Sequence, residues 1–208
     1  MDYNNLSERL KKTLNSLNGR FDDDIAVYLT HEKKERINLD NTKTTELSFH
    51  YSFGKDDTET IINRIFIILY NLASLKDHLK NSLQKKGINT HKVEDEINNS
   101  LHLQVLIDII NQEKHGYPLK KSNRSNKNPL IVGACQMLEM STAAGVENSV
   151  SGSYLTADGI QFFGDGTQKV KISAEITDGD KNRLFSLDEL IETAYEKILS
   201  LAQKHNCC

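Results

Sequence analysis

The chain has 208 residues, of which 38% are hydrophobic and 26% charged, and its formal net charge is -3. This length is enough for one domain with a substantial core, and the composition is that of a water-soluble globular protein. The slight acidic excess argues against a general nucleic-acid coat protein, because such proteins carry a strong basic excess, but it leaves room for a local basic patch.

The beginning of the chain and its cysteine content favour a cytoplasmic protein. Met1 is followed by Asp2 and further polar residues, whereas a secretory signal requires a basic start and an apolar stretch. The most apolar window, residues 61–75, is interrupted by polar side chains and is too short for a membrane span. Three cysteines, two of them the adjacent Cys207 and Cys208, do not provide a disulfide framework. We therefore expect a cytoplasmic location and no membrane partner.

The first part of the chain is predicted to combine a helix with two strands. Four leucines at helical spacing predict a helix from Asn5 to Leu17 with a single apolar stripe. These leucines are Leu6, Leu10, Leu14 and Leu17. Two strands are predicted at Ile25–Thr30 and Glu46–Phe53, and the charged stretch His31–Lys43 between them is predicted to be a loop.

Three helices are predicted next, at Thr58–Lys86, from the capping residue Thr90 to Asn98, and at Leu101–His115. Asp56 and Glu59 have the spacing of a capping box for the first of them. Its first half is apolar on nearly all sides, which is typical of a helix in the middle of a bundle. We expect this long helix to pack antiparallel against the third one. Their predicted shared core consists of Leu72, Leu75, Leu106 and Ile110.

The part of the chain after Pro129 is predicted to form β-hairpins followed by a helix. Apolar and polar residues alternate from Val170 to Ile176, which indicates a half-buried strand. Ser186 and Glu189 form a second capping box that begins a last helix, Leu187–Lys204. Because helices and strands are segregated, the predicted class is α+β. We expect a single domain over residues 1–208, with a helical bundle and a short β insertion in 1–118 and β-hairpins plus a helix in 129–208.

Two of the predicted helices carry polar residues where packing alone would favour apolar ones. The third helix carries Asp108, Asn111, Lys114 and His115, and the long helix carries Asn71, Ser74, Asp77 and His78. Residues three, four and seven positions apart share a helix face, so the two polar stripes meet if the helices pack antiparallel. Since buried polar groups without partners are costly, we expect Asp77 or Asp108 to accept hydrogen bonds from a backbone amide or a polar neighbour. Lys114 and His115 also suit the negative end of the helix dipole, so a structural and a functional interpretation both stay open.

The loop after the third helix adds a basic patch around Tyr117. Its members are Lys114, Lys120, Lys121, Arg124 and Lys127. Lysine and arginine provide the phosphate contacts on which nucleic-acid affinity mainly rests, and a tyrosine can stack on a base. Exposed loops are also normally charged. The candidate binding residues are therefore Lys120 and Arg124 of the loop, together with Asp77 and His78.

Other signatures of chemistry are missing from the sequence. No glycine-rich phosphate loop follows a predicted strand. The aspartates between residues 158 and 180 have the spacing of turns rather than of a calcium loop, and the cysteines and histidines lack the paired spacing of a zinc site. The sequence therefore predicts no metal site and no cofactor.

Four segments between Asn71 and Ser125 form a recognisable pattern. They are LKDHLK at 75–80, VEDEIN at 93–98, DIINQEKH at 108–115, and Arg124-Ser125. The pattern resembles a family of uncharacterised bacterial proteins with a HEPN-like helical bundle, and the Asp-x-x-Asn-x-x-Lys-His block is its most specific part. The resemblance implies a homodimer and an RNA-directed role, as a ribonuclease or RNA-binding component of a bacterial stress or phage-defence system. Catalytic HEPN proteins have an arginine a few residues before the histidine, and no arginine precedes His115 on its helix.

The resemblance implies specific roles if the protein is a ribonuclease. His115 would act as general base or acid, Lys114 would neutralise the phosphate, and Asp108 and Asn111 would orient them. Lysine is not a geometric substitute for the missing arginine. The alternative is a non-catalytic interaction or ligand-sensing module in which the same four residues form a buried network.

Overall fold

The computed structural model describes residues 6–22, 27–37, 43–119, 123–143, 145–156 and 159–207. Within these ranges the helices are α1 Leu6–Asn18, α2 Thr58–Lys85, α3 His91–Asn98, α4 Leu101–His115 and α5 Leu187–Lys204. The strands are β1 Phe21–Asp22, β2 Val27–Ile37, β3 Lys43–Phe53, β4 Leu130–Ser141, β5 Ser151–Thr156, β6 Gly159–Gly164, β7 Thr167–Thr177 and β8 Arg183–Ser186. They form three small antiparallel sheets, so the predicted α+β class is confirmed. None of the described helices combines the length and the apolar character needed to cross a membrane.

The chain divides into two compact units, each assembled from separate stretches of sequence. The helical unit contains the described residues of 1–20, 57–135 and 172–208, and the β unit contains those of 21–56 and 136–171. Helix α5 thus belongs with the earlier helices, and the β2–β3 hairpin belongs with residues far later in the chain. The single-domain prediction stays a prediction.

The helical unit is built around α2, whose apolar residues are buried over most of its length. All four residues predicted for the core shared with α4 are buried: Leu72, Leu75, Leu106 and Ile110. Ile62, near the start of α2, lines a depression with Glu113, near the end of α4. Leu79, further along α2, lies with Leu103 near the start of α4. The two helices therefore run antiparallel, as predicted.

Helix α1 buries a slightly different stripe from the one predicted. Leu6, Leu10 and Leu17 are buried together with Thr13, whereas Leu14 is 45% exposed. Successive residues are rotated by about 100° around a helix, so Thr13 lies within roughly 20° of Leu6 while Leu14 lies about 80° away. The prediction for Leu14 is wrong because four-residue steps drift off the buried face.

The charged stretch predicted as a loop from His31 to Lys43 is in fact strand as far as Ile37, and residues 38–42 lie outside the described ranges. Strands β2 and β3 pair antiparallel along their whole length. The side chains of Lys33 and Glu35 are exposed and form an ion pair, with 2.6 Å between Nζ and Oε1. The loop prediction is wrong because a strand with exposed charged side chains lacks the alternation that marks half-buried strands, while backbone pairing does not depend on it.

Strand β7 is central to the largest sheet, which has the order β1-β7-β4 with β8 also paired to β7. The predicted alternation is confirmed, because every second side chain from Val170 to Ile176 is buried. The turn into β8 is held by Asp178, whose carboxylate accepts hydrogen bonds from the backbone N–H groups of Asp180 and Asn182.

Capping residues define where two helices begin. The Ser186 hydroxyl accepts a hydrogen bond from the Glu189 N–H at 3.1 Å, which confirms the predicted cap of α5. Helix α2 is capped by Asp57, whose carboxylate accepts from the Thr60 N–H at 2.7 Å, and the predicted cap at Asp56 is wrong by one residue. Asp57 has the extended backbone conformation, with φ -75° and ψ 168°, that this position requires.

Candidate functional site

Asp108 has no exposed surface, and both of its carboxylate oxygens accept hydrogen bonds from the loop after α4. Its Oδ1 accepts a hydrogen bond from the Arg124 N–H at 2.8 Å. Its Oδ2 accepts from the Ser125 N–H at 2.8 Å and from the Ser125 hydroxyl at 2.6 Å. These bonds offset the cost of burying a carboxylate, and they confirm the expectation that it finds backbone partners. Asp108 therefore anchors the loop to α4.

Three charged residues, here called the ion cluster, join α2 and α3 to the same loop. Glu94 accepts hydrogen bonds from the Lys80 ammonium and, at 2.7 Å, from the Arg124 guanidinium. Lys80 above all, and then Arg124, lower the pKa of Glu94 from 4.5 to about 2 against the opposing effect of burial. Arg124, a predicted binding residue, is thus paired within the protein. The other predicted loop residue, Lys120, lies outside the described ranges, as does Lys121.

A cleft of about 120 Å³ lies between α2 and α4 and is here called the α2–α4 cleft. Buried Ala73, Ile107 and Ile110 supply its apolar part. Its polar lining consists of Tyr70, Ser74, Lys76, Asp77, Asn111 and Lys114. Of the two predicted polar stripes, Ser74 and Asp77 of α2 meet Asn111 and Lys114 of α4 here.

The polar groups of the α2–α4 cleft are not paired with one another. Within the described part of the chain, no hydrogen bond or ion pair engages the side chains of Asp77 or Asn111. The Lys114 ammonium lies 5.4 Å from the centroid of the Tyr70 ring, in the range of a cation–π interaction. Lys76 also lines the cleft, so the lining residues carry two ammonium groups and one carboxylate. The local charge is therefore positive, and the donors of Asn111 and Lys114 remain available.

The two candidate histidines do not line this cleft. His115 is exposed in the last turn of α4, and the hydrogen bonds of Asp108 go to the following loop instead. His78 is half-buried, and burial together with the positive charge of Arg9 lowers its pKa, against the opposing effect of Asp77. The structure thus brings Asn111, Lys114 and Asp77 together, and it places Asp108 and His115 in separate surroundings.

Two cleft residues were not predicted from the sequence. Tyr70 and Lys76 line the α2–α4 cleft beside Ser74 and Asp77. A helical-spacing criterion finds the first of them, because Tyr70, Ser74 and Asp77 follow one another at four and three positions. Tyr70 lies within an otherwise apolar run, which marks it as a core residue. Lys76 falls between the polar positions, and no spacing signal marks it.

The described residues contain no group of three or more His, Cys, Asp or Glu side chains placed to hold a metal ion. Comparison of the chain with family models, with curated proteins and with solved structures found no match. The resemblance to HEPN-like proteins therefore rests on the four sequence segments alone.

Proposed function

We propose that this protein is a non-catalytic binding module whose α2–α4 cleft takes an anionic group, such as a phosphate or a carboxylate. The observation that supports this most is the division of the polar residues into two sets. Asp108, Glu94 and Arg124 are engaged with partners inside the protein. Asn111 and Lys114 instead line a cleft with no hydrogen-bond or ion-pair partner among the described side chains. A residue already engaged has little to offer a ligand, whereas Asn111 and Lys114 give up no hydrogen bond or ion pair with a described residue when a ligand binds.

The charge and the size of the cleft favour a small anionic group. Two ammonium groups, from Lys76 and Lys114, outnumber the single carboxylate of Asp77. A volume of about 120 Å³ is well below the roughly 300–1,000 Å³ of pockets that hold drug-sized ligands. It therefore suits a phosphate or carboxylate with a few neighbouring atoms rather than a whole nucleotide. Asp77 would then pair with a hydroxyl or cationic part of the same ligand.

Calorimetric titration with inorganic phosphate and with ribose 5-phosphate tests this proposal. Lys114→Ala should weaken binding by about tenfold or more, because a hydrogen bond to a charged group contributes about 1.5–3 kcal/mol. The matched control is Lys92→Ala, which removes an exposed lysine from α3. The proposal would be contradicted if the wild-type protein bound neither ligand. It would also be contradicted if Lys114→Ala and Lys92→Ala weakened binding equally.

A second candidate function is favoured by the exposed end of α4. We infer that a HEPN-like, RNA-directed protein would use this end, as a homodimeric ribonuclease or RNA-binding component of a bacterial stress or phage-defence system. His115 and Tyr117 are both exposed there, close in sequence to Lys114. Here His115 acts as general base or acid, Lys114 neutralises the phosphate, and Tyr117 stacks on a base. Asn111 would orient Lys114, and Asp108 would contribute by holding the loop.

The substitution His115→Ala separates the two functions. In the RNA-directed case it should abolish cleavage of a short single-stranded RNA while the melting temperature stays almost unchanged, because His115 is exposed. His91→Ala, at an exposed histidine of α3, is the matched control. Lys114→Ala should also flatten the salt dependence of RNA affinity. Wild-type protein with no salt-dependent affinity for RNA would reject this second function and leave the anion-binding module in place.

A further inference from the structure

A second depression, here called the apolar groove, lies on the helical unit where α2, α4 and the beginning of β4 meet. It has a volume of about 230 Å³ and shares no lining residue with the α2–α4 cleft. Its apolar lining includes Ile62 and Phe66 of α2, Ile109 of α4, and Leu130 and Ile131 of β4. Ile62 is 36% exposed although it is a large aliphatic residue. The groove therefore leaves apolar surface uncovered.

One buried polar group of the groove has no partner among the described residues. Gln112 lines the groove, and its side-chain Nε2 is buried without a hydrogen bond to any of them. Nearly all buried donors in folded proteins are satisfied, and this amide gains a partner when its side chain turns towards an acceptor in the groove. A peptide carbonyl is such an acceptor. The Gln112 amide therefore complements an occupant that carries hydrogen-bond acceptors beside apolar groups.

Strand β4 supplies a second feature that suits a peptide. Among the described strands it pairs with β7 alone, so its other edge has no strand partner in that part of the chain. An extended peptide satisfies the backbone groups of such an edge by adding to the sheet as a further strand. Val132 follows the groove residues along β4, is 39% exposed, and would be covered by that added strand.

Charge adds a requirement on the occupant. Glu113 lines the groove with an exposed side chain and forms no ion pair with any described residue. The other groove residues carry no charge. A basic side chain is therefore the complement of this groove, and an acidic one would be repelled.

We propose that the apolar groove binds an extended peptide segment of a partner protein. The apolar side chains of this segment pack against Ile62, Phe66 and Ile109, and one of its carbonyl groups accepts a hydrogen bond from Gln112. A lysine or arginine of the segment pairs with Glu113. This proposal does not depend on the anion-binding cleft, since the two sites have no residue in common.

Selection of displayed random 12-residue peptides against the full-length protein tests the proposal. Enriched peptides should combine apolar residues with at least one lysine or arginine, and their affinities are then measured by fluorescence polarisation. Glu113→Lys should weaken these peptides at least about tenfold, and selection on this variant should enrich acidic residues instead. The matched control Glu147→Lys reverses an exposed charge in the β unit and should leave both affinity and selection unchanged.

Side-chain amide resonances provide a readout that depends on the groove itself. The Gln112 NH₂ signals, identified by their loss in Gln112→Leu, should shift when an enriched peptide is added, while those of exposed Gln203 stay in place. No enrichment over an unrelated protein, or equal binding to Ile62→Asp, would overturn the proposal. A wild-type dimer that Ile62→Asp converts to a monomer would also overturn it, because the groove would then hold a second copy of this chain.

Discussion

Replacing Asp108 by alanine is expected to destabilise the helical unit through the loop that follows α4. Asp108 is completely buried, and its carboxylate accepts hydrogen bonds from the backbone of Arg124 and Ser125 and from the Ser125 hydroxyl. Alanine removes every one of these acceptors. The backbone N–H groups of Arg124 and Ser125 then have no carboxylate to bind, and because they are buried or partly buried, water replaces it only in part.

The size of this effect follows from the number of donors left unpaired. An unsatisfied buried donor costs about 1–3 kcal/mol, so two of them cost about 2–6 kcal/mol. The Ser125 hydroxyl keeps a second acceptor in Asn123 Oδ1 at 3.3 Å, and the Arg124 N–H is only partly buried. The expected loss in the free energy of unfolding is therefore about 2–4 kcal/mol. Asp108→Asn keeps one oxygen as an acceptor, but its NH₂ group then faces the N–H of Arg124 or Ser125, which is itself a donor. It should therefore cost about 1–2 kcal/mol.

Urea unfolding followed by circular dichroism measures these losses. Asp77→Ala is the matched control, because Asp77 is an exposed aspartate that forms no ion pair or hydrogen bond among the described residues, and its loss should be within about 0.5 kcal/mol of zero. The order of stability should be wild type and Asp77→Ala, then Asp108→Asn, then Asp108→Ala. If Asp108→Ala unfolds within about 0.5 kcal/mol of the wild-type protein, the anchoring role of Asp108 is refuted.

Two further predictions concern the ion cluster and the cap of α5. The folded pKa of Glu94, about 2, lies below its ordinary value of 4.5, so its stabilisation is complete above pH 4.5 and is lost as the pH falls towards 2. The full pKa shift corresponds to about 3 kcal/mol in the free energy of unfolding. Because Glu94 is partly exposed, solvent screening reduces this contribution to about 1 kcal/mol. Urea unfolding between pH 5 and 2 should show this loss in the wild type and not in Glu94→Gln, and parallel curves would contradict it. Ser186→Ala should cost about 1 kcal/mol in thermal unfolding, whereas Ser200→Ala, at an exposed position of the same helix, should not lower the melting temperature.

Several elements could be predicted from the sequence because their signals are local. Helices α4 and α5 have the predicted bounds, since apolar spacing, a capping serine and a glycine or polar stop all act within a few positions. The burial of alternate residues in β7 follows from the two-residue period of a strand in the same way. The predicted meeting of the α2 and α4 polar stripes is found only in part: Asn111 and Lys114 share one cleft with Asp77, whereas Asp108, His115 and His78 do not line it.

Only the tertiary structure decided which polar groups satisfy one another. In the sequence, Asp108 has helical spacing to Asn111 and His115, which suggests that they are its partners. Its hydrogen bonds come instead from Arg124 and Ser125, which lie 16 and 17 residues further along the chain. Glu94 is likewise paired with Lys80 and Arg124, which lie 14 and 30 residues away. The second part of β2, residues 31–37, is mostly charged and was assigned to a loop by local pattern, yet it forms strand because its hydrogen bonds come from β3. Periodicity and caps are properties of neighbouring residues, so the local sequence specifies them. The partners of a buried carboxylate or a strand edge depend on which surfaces meet, and no local signal specifies them.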